Sequence, residues 1–255
     1  MATKELPALA RNLDLSVCLV QEQYPAARLP GLYQHDVAPM AGIIVLRDDL
    51  AVLVLRNLCT SHCFVAQLGG GENTVYVVSA YFQYKDEIAP HLEHLERVLE
   101  ALRGKCVVIG VDTNTHSQLW YSREDQCEGR GRVAEQRRTA MESFVLSWGL
   151  LVHNVQGQPD TFSSPNGSSN IDATLGTRGV RIDGWTVHAD LSASDHRLIT
   201  FVIHLGSASS SGQLHQARSS EQGMEIRRYY NGSAGSFRET KDFGLRGGYG
   251  CKAET

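Results

Sequence analysis

A chain of 255 residues, 42% hydrophobic and 20% charged, is long enough to bury the core of one sizeable α/β domain. No apolar run approaches the roughly 20 residues of a membrane helix, and the start MATKELPALARNLD lacks the apolar centre of a secretory signal, so an intracellular protein is expected. A net charge of −4 gives no support to a strongly basic, non-specific nucleic-acid coat. It leaves room for a nuclease, because an acidic metal site brings its own counter-charge.

Residues 5–15 place Leu6, Leu9, Ala10 and Leu13 at helical spacing and predict an amphipathic helix. SVCLVQ (16–21) reads as a buried strand, and further strands are predicted at 51–57, 63–68 and 74–82, with glycines 69–71 turning between the last two. Pro90 opens a helix through Leu102 with a stripe of Leu92, Leu95, Val98 and Leu99, and Gly104 stops it. CVVIGVD (106–112) is the next buried strand. A second helix spans 133–148, and strands follow at 150–154, 171–175, 180–190 and 197–205. Runs of strands with few helices between them predict an α/β protein with mixed or antiparallel sheets. From Gly206 the composition turns to Ser, Gly and Gln, so 1–205 is expected to be the folded domain and 206–255 a flexible linker and unstructured tail.

The six cysteines are irregularly spaced. Cys59, His62 and Cys63 lie close together, but no second ligand pair follows at zinc-finger spacing, so the cysteines read as reduced and structural.

Four polar positions interrupt otherwise apolar strands, each at a strand end: Gln21-Glu22, Asp112 with Asn114, Asn170 with Asp172, and Asp195-His196. Any one acid alone reads as a cap, a turn residue or a solvated group. Together they form a set of four acids, an amide and a histidine that suits phosphodiester hydrolysis with a hard cation, Mg²⁺ or Mn²⁺.

The blocks around these positions carry a resemblance. GVDTNTHSQLW (110–120), TFSSPNGSSNIDATL (161–175), SASDHRLITFVI (192–203) and CLVQEQY (18–24) resemble, in order and spacing, the endonuclease domains of non-LTR retrotransposon polyproteins, within the endonuclease/exonuclease/phosphatase superfamily. The likeness covers about residues 1–205. It implies a four-layer α/β-β/α sandwich of two mixed sheets flanked by helices. It also implies Glu22 as principal metal ligand, Asp112 activating water, Asn114 placing the phosphate, and Asp172 orienting His196. Asp195 would support the metal or the leaving group, and Tyr81 would contact the phosphate unless it serves only core packing. Thr161 would buttress the site, and Thr161, Asn170, Arg178 and Arg181 would lie at the DNA, the two arginines on a hairpin between Asp172 and Asp195. Arg130, Arg132, Arg137 and Arg138 form a second basic cluster that reads equally as a solvated helix start.

Members of that family begin with a strand whose asparagine joins the metal site, whereas this chain begins at the helix after it, so one sheet is expected to lack a strand. The usual Q-E-P-Y here reads Gln-Glu-Gln-Tyr, the tyrosine block lacks its proline, and the reverse transcriptase that usually follows is absent from these 255 residues. The implied activity is DNA nicking that leaves a 3′-hydroxyl, in the nucleus, with element RNA and a reverse transcriptase domain as partners and no membrane. Two alternatives stay open: an abasic-site repair nuclease or phosphoesterase of the same superfamily, and an inactive DNA-binding remnant.

Overall fold

A computed structural model of the chain describes residues 2–22, 29–129, 131–191, 194–205 and 223–230. In chain order it contains α1 (Ala2–Asn12), β1 (Val17–Gln21), β2 (Leu32–Gln34), β3 (Ala41–Val45), β4 (Val52–Val54), β5 (Cys63–Leu68), β6 (Val75–Tyr81), α2 (Ile88–Ala101) and β7 (Val107–Asp112). There follow α3 (Glu124–Cys127), α4 (Arg132–Ser147), β8 (Leu151–Val152), β9 (Phe162–Ser164), β10 (Gly167–Ser169), β11 (Asp172–Gly176), β12 (Arg181–His188), β13 (Leu198–His204) and β14 (Gly223–Tyr230).

The strands form two six-stranded sheets and one hairpin. The first sheet runs β12-β13-β14-β1-β3-β2, the second β4-β5-β6-β7-β11-β8, and β9 pairs with β10 alone. Both sheets are mixed: β1 runs parallel to β14 and antiparallel to β3, while β6 runs parallel to β7 and antiparallel to β5.

Period-two alternation sorts the side chains into layers. On β1, Val17 and Leu19 point between the sheets, where they join Ile43, Phe64, Val77, Val108, Trp185 and Phe201. Cys18 and Val20 point outward and pack beneath Leu6, Leu9 and Ala10 of α1. Beyond the second sheet, Val78, Ile109 and Leu175 meet Leu95 and Val98 of α2 and Met141 and Phe144 of α4. The order of layers is therefore helix, sheet, sheet, helices, the expected sandwich. Each fully buried aliphatic side chain of this kind contributes about 1.5–3 kcal/mol.

Two expectations are revised. The place beside β1 is filled: β14 lies between β1 and β13, pairing Val17 with Ile226 on one side and Phe201 with Ile226 on the other. The stretch expected to be linker and tail thus supplies a central strand, whereas 206–222 and 231–255 lie outside the described residues. Residues 172–195 do not form a hairpin, because β11 belongs to the second sheet and β12 to the first.

Candidate active site

Asp172 and Asp112 are direct partners across antiparallel β11 and β7, and Tyr81 is the partner of Asp112 across parallel β6 and β7. The three stand in one row at one end of the second sheet. Alternation points them toward the first sheet, since Val77 on β6 and Val108 on β7 share their parity and lie in the layer between the sheets. Gln21, at the end of β1, closes the gap from the other side. Its Nε2 donates to Ser79 Oγ (2.7 Å) and to the Gly110 carbonyl (3.1 Å), and Ser79 Oγ donates to the Val20 carbonyl (2.8 Å). This buried link between sheets delivers the next residue, Glu22, whose carboxylate accepts a hydrogen bond from the Tyr81 hydroxyl.

His196, just before β13, is 5% exposed, while Asp112 and Asp172 are fully buried. Its Nδ1 lies 3.1 Å from Asp172 Oδ2, and its Nε2 lies 3.8 Å from Asp112 Oδ2, beyond direct hydrogen-bond reach. The ring also meets Phe162 edge-on, with centroids 5.0 Å apart. Burial favours the neutral imidazole, but the Asp172 and Asp112 carboxylates together outweigh it, and the pKa is pushed up to about 9. At neutral pH His196 is an imidazolium. Tyr81 moves the other way from ionisation: burial, then the Glu22 carboxylate, raise its pKa, so it stays a phenol and a donor.

Asn114 completes the group. Its backbone N donates to Asp112 Oδ1 (3.0 Å), and its Nδ2 donates to Asp112 Oδ2 and to the Phe82 carbonyl (3.3 Å each). Glu22 and Asn114 both adopt left-handed backbone, with φ of 49° and 47°. Such conformations cost on the order of 1–3 kcal/mol for non-glycine residues and cluster at functional sites. Two of the chain's positive-φ residues thus stand where the polar groups converge.

One side-chain atom each of Asp112, Asp172 and His196 lies within 4.8 Å of the others, the single such cluster among the described residues. Within it the Asp112 and Asp172 carboxylates offer oxygen, which suits a hard divalent cation, whereas His196 as an imidazolium offers it no lone pair. Glu22 and Asp195, expected as ligands, stand outside that cluster. The Glu22 carboxylate is engaged by Tyr81, and the backbone carbonyl of Asp195 accepts from Ser163 N (2.7 Å).

Thr161 and Asn170, expected at the DNA, are placed inside. Thr161 is fully buried, and its Oγ1 accepts from the backbone N of Ile171 and of Asp172 (3.3 Å each), which braces Asp172 as a buttress would. Asn170 Oδ1 accepts from Thr161 N (2.9 Å), and its Nδ2 donates to the Tyr121 carbonyl (2.9 Å). The two arginines go to the wrong end for the expected contact. Arg178 lies in the turn after the far end of β11, and that end is four strand residues beyond Asp172, at roughly 3.3 Å per residue about 13 Å away. Its neighbour Thr177 bonds to Lys105 and Val107 at the start of β7. Arg181 is exposed and paired with Asp183 (3.3 Å).

The basic cluster at the start of α4 also divides. Arg130 lies outside the described residues, Arg132 is exposed, and Arg137 is buried against the loops after β6 and β7. Sequence reading had no signal for Arg137, because a buried guanidinium that bonds carbonyls looks like any other helix arginine. Trp120 of the GVDTN block is fully buried, and its Nε1 donates to the Thr115 carbonyl (3.1 Å), which fixes the loop after Asn114. At the cysteines, burial raises the pKa of both Cys59 and Cys63, so both are thiols.

A cleft of about 450 Å³ opens beside Asn114, with Tyr84, His116 and Arg123 on one wall and Phe162 and Asn166 on the β9–β10 wall. Through Phe162 and Asn114 it adjoins the Asp112–His196–Asp172 cluster.

Comparisons with known proteins bear on the fold and the family. The family model described as "Endonuclease-reverse transcriptase" matches residues 75–200. The Pol polyprotein of the type-1 retrotransposable element R1 of Bradysia coprophila is 30% identical over 173 residues, which is 67% of this chain and 17% of the relative. The chain therefore spans about one sixth of that relative's length. Among solved structures, the endonuclease domain of TRAS1, a telomere-specific non-LTR retrotransposon, superposes with a TM-score of 0.70 at 28% identity. That match covers 81% of this chain and 93% of the TRAS1 domain. An AP endonuclease from Archaeoglobus fulgidus shares the fold, with a TM-score of 0.54 at 16% identity over 75% of this chain and 90% of its own. The chain belongs to the endonuclease/exonuclease/phosphatase superfamily, on the branch found in non-LTR retrotransposons.

Proposed function

We propose that the chain is a divalent-metal-dependent DNA endonuclease that nicks one strand and leaves a 3′-hydroxyl. The observation that carries this reading is the placement of buried His196, with Nδ1 3.1 Å from Asp172 and Nε2 3.8 Å from Asp112. The latter separation sets a donor and an acceptor side by side.

In this reading a phosphate of the DNA backbone reaches this pair from the cleft beside Asn114 and lies against both groups. Asp112 accepts the proton of the attacking water, and Asn114, anchored to Asp112 and Phe82, holds the phosphate oxygen in line. As water oxygen bonds to phosphorus, the bond to the 3′ oxygen breaks and that oxygen takes a proton from a solvent water. His196 meets the charge growing on the phosphoryl oxygens, and Asp172 keeps its ring oriented. Tyr81, a phenol at neutral pH, orients Glu22. Glu22, with Asp195 in support, would hold Mg²⁺ or Mn²⁺, which when bound offsets phosphate charge. Within a longer polyprotein, a reverse transcriptase would extend the nick with element RNA as template, in the nucleus.

The test is incubation with supercoiled plasmid, an abasic duplex and an inositol polyphosphate in Mg²⁺, with EDTA controls. Nicked circles whose ends prime a polymerase are expected. Cleavage restricted to the abasic duplex, or phosphate release from the inositol ester alone, would replace this reading. No turnover of any substrate would leave only a binding role.

A further inference from the structure

Arg137 lies in the middle of α4 and is 6% exposed. A guanidinium in such a place needs acceptors for its five donors, and here they come from two loops. From the loop after β6, Nη2 donates to the Phe82 carbonyl (2.8 Å) and Nη1 to the Asp86 carbonyl (2.9 Å). From the loop after β7, Nε and Nη2 donate to the Thr113 carbonyl (3.3 and 3.2 Å), and Nε donates to Thr115 Oγ1 (3.1 Å).

Asn114 lies between those last two contacts. It is the residue with left-handed backbone, and it has an Arg137 contact on each flank. Its side chain shares an acceptor with the same guanidinium, because the Phe82 carbonyl receives both Arg137 Nη2 and Asn114 Nδ2. A strained conformation persists only where its surroundings over-determine it. Thr113 and Thr115 bond each other as well, through Thr115 Oγ1 to the Thr113 carbonyl (3.0 Å), but that contact is local to the loop. Arg137 ties the loop to an element outside it.

We propose that Arg137 is a positioning residue: it holds Asn114 in its left-handed conformation, with its amide against Asp112, and thereby aligns the group that places the scissile phosphate. The proposal rests on the nuclease reading for its effect on turnover, but not for its effect on Asn114 itself. Arginine is required rather than lysine because a planar fork can reach Phe82, Asp86 and Thr113 at once, whereas an ammonium is a single point.

The test is a double-mutant cycle in the full chain, joined to a measurement that needs no turnover. Arg137→Met is expected to lower the nicking rate by roughly 10- to 100-fold, the cost of a misplacement of about an ångström. In an Asn114→Ala background the same substitution is expected to cost less than about twofold, because the group it positions is already gone. Arg137→Lys should recover part of the rate. Equal losses in both backgrounds would mean that Arg137 merely stabilises the fold, and would overturn the proposal. In parallel, the side-chain amide resonances of Asn114 should shift, and its backbone amide lose exchange protection, in Arg137→Met but only partly in Arg137→Lys. If wild type nicks nothing, the nuclease reading fails while these NMR measurements still judge Arg137. Unchanged Asn114 signals in Arg137→Met would sink the positioning role whether or not the chain cuts DNA.

Discussion

Asp112 and Asp172 come from strands separated by 60 positions in the chain, yet they face each other directly across β7 and β11, both fully buried, with His196 against both. Two carboxylates in one buried row are unfavourable unless a cation joins them. Here an imidazolium does so, and the same row suits a metal ion.

The linkage between His196 and stability has a definite sign. Its pKa is about 9 in the folded chain against the ordinary 6.5. The group therefore contributes stability that is fully present below pH 6.5 and is lost as pH rises through about 9. Urea unfolding of the metal-free chain in EDTA should show stability falling between pH 6.5 and 9.5, with a shallower slope for His196→Asn. An identical slope in both chains would contradict the ion pairing.

Asp172→Asn keeps the shape of the site and removes the charge that holds Nδ1. The pKa of His196 should fall, as followed by its ring proton signals. Nicking should drop roughly 10²- to 10³-fold, the range seen when a preorganised electrostatic group is lost. Melting temperature is the control for folding.

Tyr81→Phe deletes the hydroxyl that donates to Glu22. A hydrogen bond to a charged group is worth about 1.5–3 kcal/mol, so the nicking rate should fall at least roughly tenfold while the aromatic packing against His62 (centroids 6.0 Å) is kept. A plasmid-nicking assay that finds Tyr81→Phe equal to wild type would assign Tyr81 to the core alone.

The strand at 223–230 makes a prediction about the region expected to be a tail. Ile226 pairs with Val17 on one side and Phe201 on the other, so it sits in the middle of a sheet. Proline there removes a ladder donor and is tolerated only at sheet edges. Ile226→Pro should cost at least the roughly 1–3 kcal/mol of a buried acceptor left without its donor, seen as a lower denaturation midpoint. A proline placed in 206–222 provides the comparison; equal midpoints for Ile226→Pro and wild type would refute the pairing.

Much of the fold was legible because long apolar strands and striped helices announce themselves. CFVAQL, TVYVVSAYF and CVVIGVD fell where β5, β6 and β7 stand. AGIIV (41–45) escaped notice although it forms β3: a strand buried on both faces shows no alternation, and five residues are too few to separate it from a loop. The hairpin of β9 and β10 escaped too, since FSS and GSS carry almost no apolar signal.

Residue types and their order named Glu22, Asp112, Asn114, Asp172 and His196, because polar residues that end apolar strands are costly unless they have work to do, and the family resemblance added Tyr81. Direction was another matter. Only the tertiary structure sent Arg178 to the end of the sheet away from the acids, buried Thr161 and Asn170 as braces, and turned Arg137 inward onto two loops. Strand register and the crossing between sheets decide which end of a strand a residue occupies and what it faces, and both arise from packing among distant segments that no local pattern records.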